Sequence, residues 1–242
     1  KASFQYTIIS DLTTEGGPVG TATATDGSYK AGGNVTSYNS FVGLSGDFGS
    51  IKLGNQFTPI FLAAAGSTAW GMSANSNSLT NTAYGMGGAV RSNQSINYSS
   101  PSISGVTLAA QGDANNANFS YSVTYAAGGL TAAYGFNRAS AGDQNAVGLA
   151  YDLGAAKLFL SSLSGYIGAK NKSATEVGVS VPFGAASLVA STSSSNATGV
   201  KTASNVGVKY DLSKRTQVYY LNTVNGSAAT SGFSNEIGRA HV

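Results

Sequence analysis

The sequence predicts an all-β fold, an antiparallel transmembrane β-barrel of about fourteen strands built as one domain over residues 1–242. Three observations predict it. Strand-length segments alternate apolar and polar residues with period two along most of the chain. Charged residues are 10% of the total, against ~25% in ordinary soluble domains, fewer than a water-facing surface of this size carries. Connections also alternate between short turns and longer loops, the layout of a barrel that crosses a bilayer.

The rest of the composition agrees and narrows the classes. The 32 Gly, 13 Tyr and 10 Phe with only 4 Pro suit many short strands joined by turns. No apolar run reaches the ~18 residues of a spanning helix, which excludes a helical membrane protein. With no Cys there is neither a disulfide framework nor a thiolate metal site. The net charge is +3, but the basic residues are scattered rather than clustered on one face between aromatics, so nucleic acid is not a partner. No signal-peptide pattern begins at Lys1.

In chain order, Lys1 to Asp11 reads as a strand and residues 12–34 as a polar, Gly-rich loop. Tyr38 to Pro59 is a hairpin turning at Gly46-Asp47-Phe48-Gly49. Residues 59–89 form a long loop with no charged residue, uncommon in a compact domain unless functional. Arg91 to Ser99 alternates, with Ile96 and Tyr98 opposite Asn93, Ser95 and Asn97. Phe119–Tyr125, Leu130–Phe136, Val147–Tyr151, Val177–Val181 and Val206–Tyr210 are strands, and no stretch shows helical periodicity. A weak repeat, Ser122-Val-Thr-Tyr125, Gly148-Leu-Ala-Tyr151, Gly178-Val-Ser-Val181 and Gly207-Val-Lys-Tyr210, places its anchors 26 to 30 residues apart. That is the length of one hairpin of tilted ~10-residue strands.

Short turns are expected near Gly46, Pro101, Ala127, Gly154, Gly184 and Ser213. Long loops are expected at 12–34, 59–89, 114–117, 139–143, 167–171, 195–202 and 225–231, on the opposite side. The faces follow the same division. Lys52, Arg91, Glu176 and Lys209 fall in the polar phase, where a basic side chain escapes the roughly 2 to 4 kcal/mol it costs at mid-bilayer. Lys157 does so less cleanly, because Phe159 and Leu163 share its face. Arg138 and Arg239 lie in the apolar phase but near strand ends, where a long side chain reaches the headgroups. Tyr125, Tyr151, Phe183 and Tyr210 fall at the turn-side ends of the outward rows, as an interfacial aromatic girdle would; the alternative is aromatic packing in a sandwich core.

Phe41-Val-Gly-Leu-Ser-Gly-Asp-Phe-Gly49 with Leu53-Gly-Asn-Gln56, Arg91-Ser-Asn-Gln-Ser-Ile-Asn-Tyr-Ser-Ser-Pro101 and Val208-Lys-Tyr-Asp-Leu-Ser-Lys-Arg-Thr216 resemble the trimeric Gram-negative general porins. The resemblance implies a sixteen-stranded barrel in the complete protein, with the first two strands and the terminal aromatic lacking here. It implies an outer-membrane homotrimer among lipid and lipopolysaccharide, without a cofactor, and a loop 59–89 folded into the lumen as the constriction. Trp70, Met72, Asn75, Asn77, Tyr84 and Met86 are that loop's candidate aperture residues, plain packing being the alternative for the aromatics and methionines.

Two departures bear on selectivity. Family constriction loops carry acids facing a basic wall, whereas 59–89 has no Asp or Glu, and Asn55 stands where the family has Arg in Leu-Gly-Arg-Gln. Arg91 matches a second basic wall position. The candidate pore lining is therefore Lys52, Asn55, Arg91, Asn93, Asn97 and Lys209, giving passive diffusion of small hydrophilic solutes with a weak preference for anions. A surface adhesin or passenger-type β-solenoid is the competing reading. An enzyme lacks support: the single His is His241, and no nucleophile–base or metal-ligand spacing occurs.

Overall fold

The computed structural model describes residues 1–10, 29–31, 35–71, 90–114, 118–139, 142–167, 170–196, 202–213, 216–224 and 233–240, with side chains over 1–3, 39–71, 90–114, 119–138, 142–165, 173–196, 202–213 and 216–223. Its elements are β1 Ala2–Ser10, β2 Tyr29–Ala31, β3 Val35–Gly46, β4 Gly49–Phe57, α1 Pro59–Ala65, β5 Arg91–Ser99, β6 Val106–Asp113, β7 Asn118–Ala127 and β8 Leu130–Ala139. There follow β9 Gly142–Asp152, β10 Lys157–Ile167, β11 Lys170–Phe183, β12 Ala186–Ser195, β13 Ala203–Ser213, β14 Thr216–Val224 and β15 Phe233–Ala240. One sheet holds them all. Fourteen strands run in chain order from β1 to β15, and the three-residue β2 pairs with β3 beside this path. Every ladder is antiparallel, mostly between sequence neighbours. A β-solenoid stacks its coils in parallel, so that reading loses its footing.

The expected turns are present: β3–β4, β5–β6, β7–β8, β9–β10, β11–β12 and β13–β14 close near Gly46, Pro101, Ala127, Gly154, Gly184 and Ser213. In the first, Gly49 takes φ +100°, open to glycine at little cost. On the other side the expectation needs correcting. β8 to β9 and β10 to β11 are each separated by two residues, 140–141 and 168–169, no more than the turns opposite. β8, β9 and β10, with 10, 11 and 11 residues, fill the ~9–11 residues a bilayer needs, and β11 with 14 exceeds it, so the strands absorb what the sequence suggested was loop.

A second correction is the helix. Pro59–Ala65 forms two turns where no helix was expected. Thr58 caps it, its hydroxyl accepting the Phe61 N–H at 3.3 Å, and Pro59 sits where a missing N–H is harmless. Ala63, Ala64 and Ala65 are the best helix formers. Seven residues are too short to display a period, so only the cap and proline announce it.

Faces alternate along the strands except at the β4–β5 register slip, where Asn55, Gln56, Arg91 and Ser92 are all buried. Outward residues such as Leu44, Leu53, Ile96, Leu108, Val147, Leu160, Val177 and Val206 are exposed, and their inward neighbours are polar or small and mostly buried. Tyr125, Tyr151, Phe183 and Tyr210 are exposed at the turn-side ends of outward rows. Arg138 faces out and pairs with Asp143 at 3.3 Å. Apolar burial lies on the inward face: Ile60, Phe61, Ala64 and Ala65 pack against Ala146, Leu163 and Ala174, and Ala69 with Trp70 against Val189 and Leu221. This accounts for Lys157's row, since Leu163 and Phe159 face inward to pack on this segment. A stretch of a dozen residues touches strands from β7 to β14 on one face only because the sheet curls around it.

Candidate functional site

The loop that leaves β4 and returns at β5 is closed at its base. The Thr58 N–H donates to Val90 O at 3.1 Å, and Phe57 pairs with Arg91 in the ladder. The Arg91 guanidinium lies 4.4 Å from the Phe57 ring centroid, and Phe57 stacks on Phe61 at 4.7 Å. Arg91 is only 4% exposed. A cation sandwiched against stacked rings gains about 0.5–2 kcal/mol and fixes the angle at which the chain leaves the wall.

Just below, the β4–β5 ladder slips register between Gly54 and Gln56. Gly54 has φ +141°, and a Cβ there would lie 2.8 Å from the Phe41 Cα, so only glycine fits the bulge. Gln56 shares the inward phase of Lys52, and its amide donates to Ser95 Oγ and to Lys52 O, each at 3.2 Å.

From Thr58 the segment crosses the interior and follows the wall. Ile60 N–H donates to Ser120 Oγ on β7 (3.2 Å), and Ser161 Oγ on β10 donates to Ala64 O (3.4 Å). Lys209 Nζ on β13 donates to Ala69 O (3.0 Å) and lies 4.9 Å from the Trp70 ring. Trp70, 2% exposed, fills the slot made by Val189 and Leu221, flanked by Phe159 and Tyr219.

The other predicted residues are distributed as follows. Lys52 faces inward, half-buried, its ammonium 4.8 Å from the Phe41 ring. Asn97 also faces inward, is 6% exposed, and donates to Gln111 Oε1 at 3.3 Å. Asn55 pairs with Ser40, in the phase of Leu53 rather than of Lys52, and is buried at the bulge. Asn93 is half-buried beside the same slip. Met72, Asn75, Asn77, Tyr84 and Met86 lie outside the described residues, as does His241.

The structure groups several inward polar residues that the sequence reading does not name as lining, around Glu176, which it places in the polar phase. Thr223 donates to Asn205 Oδ1 (2.9 Å), Asn205 to Ser191 (3.3 Å), and Ser193 to the Glu176 carboxylate (3.3 Å). Gln56, Gln111 and Asn137 are buried in the same phase. Period-two phase alone would have found them. The inward rows also divide by height. Toward the turns Lys52, Thr107, Thr124, Lys157 and Lys209 are half-exposed, whereas toward the loops Gln111, Asn137, Ser161, Glu176, Asn205 and Thr223 are buried. Among the described residues no group of three acidic or histidine side chains could hold a metal. This lining can hydrate and orient solutes.

Comparison with known proteins agrees with this geometry. The family model for Gram-negative porins matches residues 1–222. The structure is similar to OmpF of Salmonella typhi, with TM-score 0.67 and 14% identity over 86% of this chain and 78% of that one. It is similar also to a Rhodopseudomonas blastica porin triple mutant (0.60; 17%; 84% and 76%) and to the anion-selective porin from Comamonas acidovorans (0.58; 18%; 84% and 73%). At such identities the likeness is one of fold. Curated protein sequences give no match.

Proposed function

Because the chain belongs to the Gram-negative porin family, with its outer-membrane β-barrel fold, we propose that it passes small hydrophilic solutes by passive diffusion with a weak preference for anions. The observation that carries this reading is the split of faces: apolar side chains turn out toward lipid, polar ones turn in, and a segment of the chain itself, Thr58–Trp70, lies on the inward face. In a bilayer such a sheet must close, because unpaired edges have no water to bond.

The anion preference draws on where the charges stand. Residues 59–89 contain no acid, and Lys52 is inward and half-exposed. Among the described side chains, the inward acid at mid-strand is Glu176, 1% exposed, whereas Asp113, Asp152 and Asp211 lie at strand ends. Uncompensated positive charge in a confined passage concentrates anions. One structural neighbour is an anion-selective porin, which is compatible with this sign. The assembly proposed is a homotrimer held among lipid and lipopolysaccharide.

Planar-bilayer recording tests the reading. The purified protein should give stable conductance steps with a reversal potential on the anion side. Lys52→Glu should move that potential toward cations without changing heat-modifiable migration on gels. No conductance, or a strong cation preference in the unaltered protein, overturns the proposal.

A further inference from the structure

Four inward glycines lie beneath the segment Ile60–Trp70: Gly135 on β8, Gly148 on β9, Gly178 on β11 and Gly207 on β13. A Cβ at Gly135 would approach Ile60 Cα to 2.8 Å, and at Gly148 it would meet the Ser67 hydroxyl and lie 2.6 Å from Ser67 Cβ. At Gly178 it would come within 2.6 Å of Ala69 Cβ, and at Gly207 within 2.9 Å of the Trp70 ring. Carbon atoms in good contact sit about 3.5–4.0 Å apart, so each glycine marks a place where the segment sinks into the wall.

A left-handed backbone does not ask for these glycines, although at Gly207 the neighbouring β14 backbone also leaves no room for a Cβ. None of the four has a left-handed φ. At Gly135 and Gly148 the nearest atoms belong to the segment; at Gly178 Ala69 Cβ is nearest, with Ser191 and Ala190 of β12 next at 3.0 and 3.1 Å, and at Gly207 the carbonyl of Tyr220 on β14 lies nearer than Trp70. Between them β7 and β10 offer Ser120 and Ser161, which bond Ile60 N and Ala64 O. Gly148, Gly178 and Gly207 each stand three residues before a repeat anchor, Tyr151, Val181 or Tyr210. The repeat thus places one seat on every second strand, each at the same distance from its turn-side anchor.

We propose that Gly135, Gly148, Gly178 and Gly207 determine the size selectivity of the pore, recessing the wall so that the segment is inlaid and the depth of the recess fixes the cross-section left to solutes. This rests on the channel reading above. A methyl group in the recess pushes the segment toward the lumen axis and narrows the passage.

The test is single-channel recording, with polymer exclusion, on Gly148→Ala and Gly178→Ala. Both should lower conductance at least twofold and exclude smaller polymers. Ser67→Gly should restore the first and Ala69→Gly the second, because those side chains supply the atoms in conflict. Gly112→Ala, on the outward face of β6 with nothing within 4 Å, should match the unaltered protein. Folded, heat-modifiable Gly148→Ala and Gly178→Ala channels of unchanged conductance overturn the inference, as does a loss that the paired glycine fails to reverse, whether of conductance or of folding. If the unaltered protein conducts nothing, the channel reading fails first and takes the inference with it.

Discussion

Trp70→Ala should yield a folded barrel with an unsteady channel. Trp70 is the far anchor of the segment that starts at Thr58. It fills a slot formed by Val189 and Leu221, between Phe159 and Tyr219, while the near anchor is the Arg91–Phe57–Phe61 stack. Removing a fully buried Trp side chain costs about 3–5 kcal/mol where the site cannot collapse. The slot's walls are rigid ladder strands, β12 and β14, so collapse is limited. The loss falls on the attachment of the segment rather than on the sheet, whose strands are held by their own unbroken ladders. Open-state current noise should therefore rise and conductance substates appear, while heat-modifiable migration is retained.

Lys209→Met should behave differently. It removes one hydrogen bond, to Ala69 O, and one cation–π contact, together about 1–3 kcal/mol, but leaves an apolar chain to cover the ring. Its noise should be modest beside that of Trp70→Ala. A quiet, normal open level in Trp70→Ala would sink the idea that the segment is bolted at this end.

The division between what was legible in the sequence and what was not follows the range of the interactions involved. Period-two alternation is local, so the outward rows of Leu149, Val177 and Val206, and the turns at Gly46, Ala127 and Gly184, could be read directly. Inward phase is equally readable for Gln111, Asn137 and Asn205. The helix α1 was hidden by its length. Phe159 and Leu163 blurred the polar phase because their partners, Trp70 and the helix, are distant in sequence, and no local period encodes that contact. Arg91 looked like an exposed wall charge, yet its burial over Phe57 depends on where the loop begins and ends. The repeat was visible as spacing, but the purpose of its glycines appears only when the segment is seen resting on them.

Leu160→Lys should be among the most damaging single changes available on the lipid face. Leu160 points outward in mid-sheet, opposite Leu149 on β9 and Val177 on β11, and all three are exposed. At the bilayer midplane a lysine on that face costs roughly 2–4 kcal/mol, which denaturant titration of the protein folded into liposomes would read as a lowered midpoint. Thr107→Lys supplies the opposite-face comparison. Thr107 lies on β6 in the inward, half-exposed row toward the turns, so the new ammonium stays in water. It should cost well under 1 kcal/mol and instead shift the reversal potential further toward anions. The pair works because both variants add the same charge to neighbouring phases of the same sheet, so only the solvent on each side differs. Equal destabilisation by the two would mean that the outward rows do not face hydrocarbon, and a current altered by Leu160→Lys rather than by Thr107→Lys would mean that inside and outside have been exchanged.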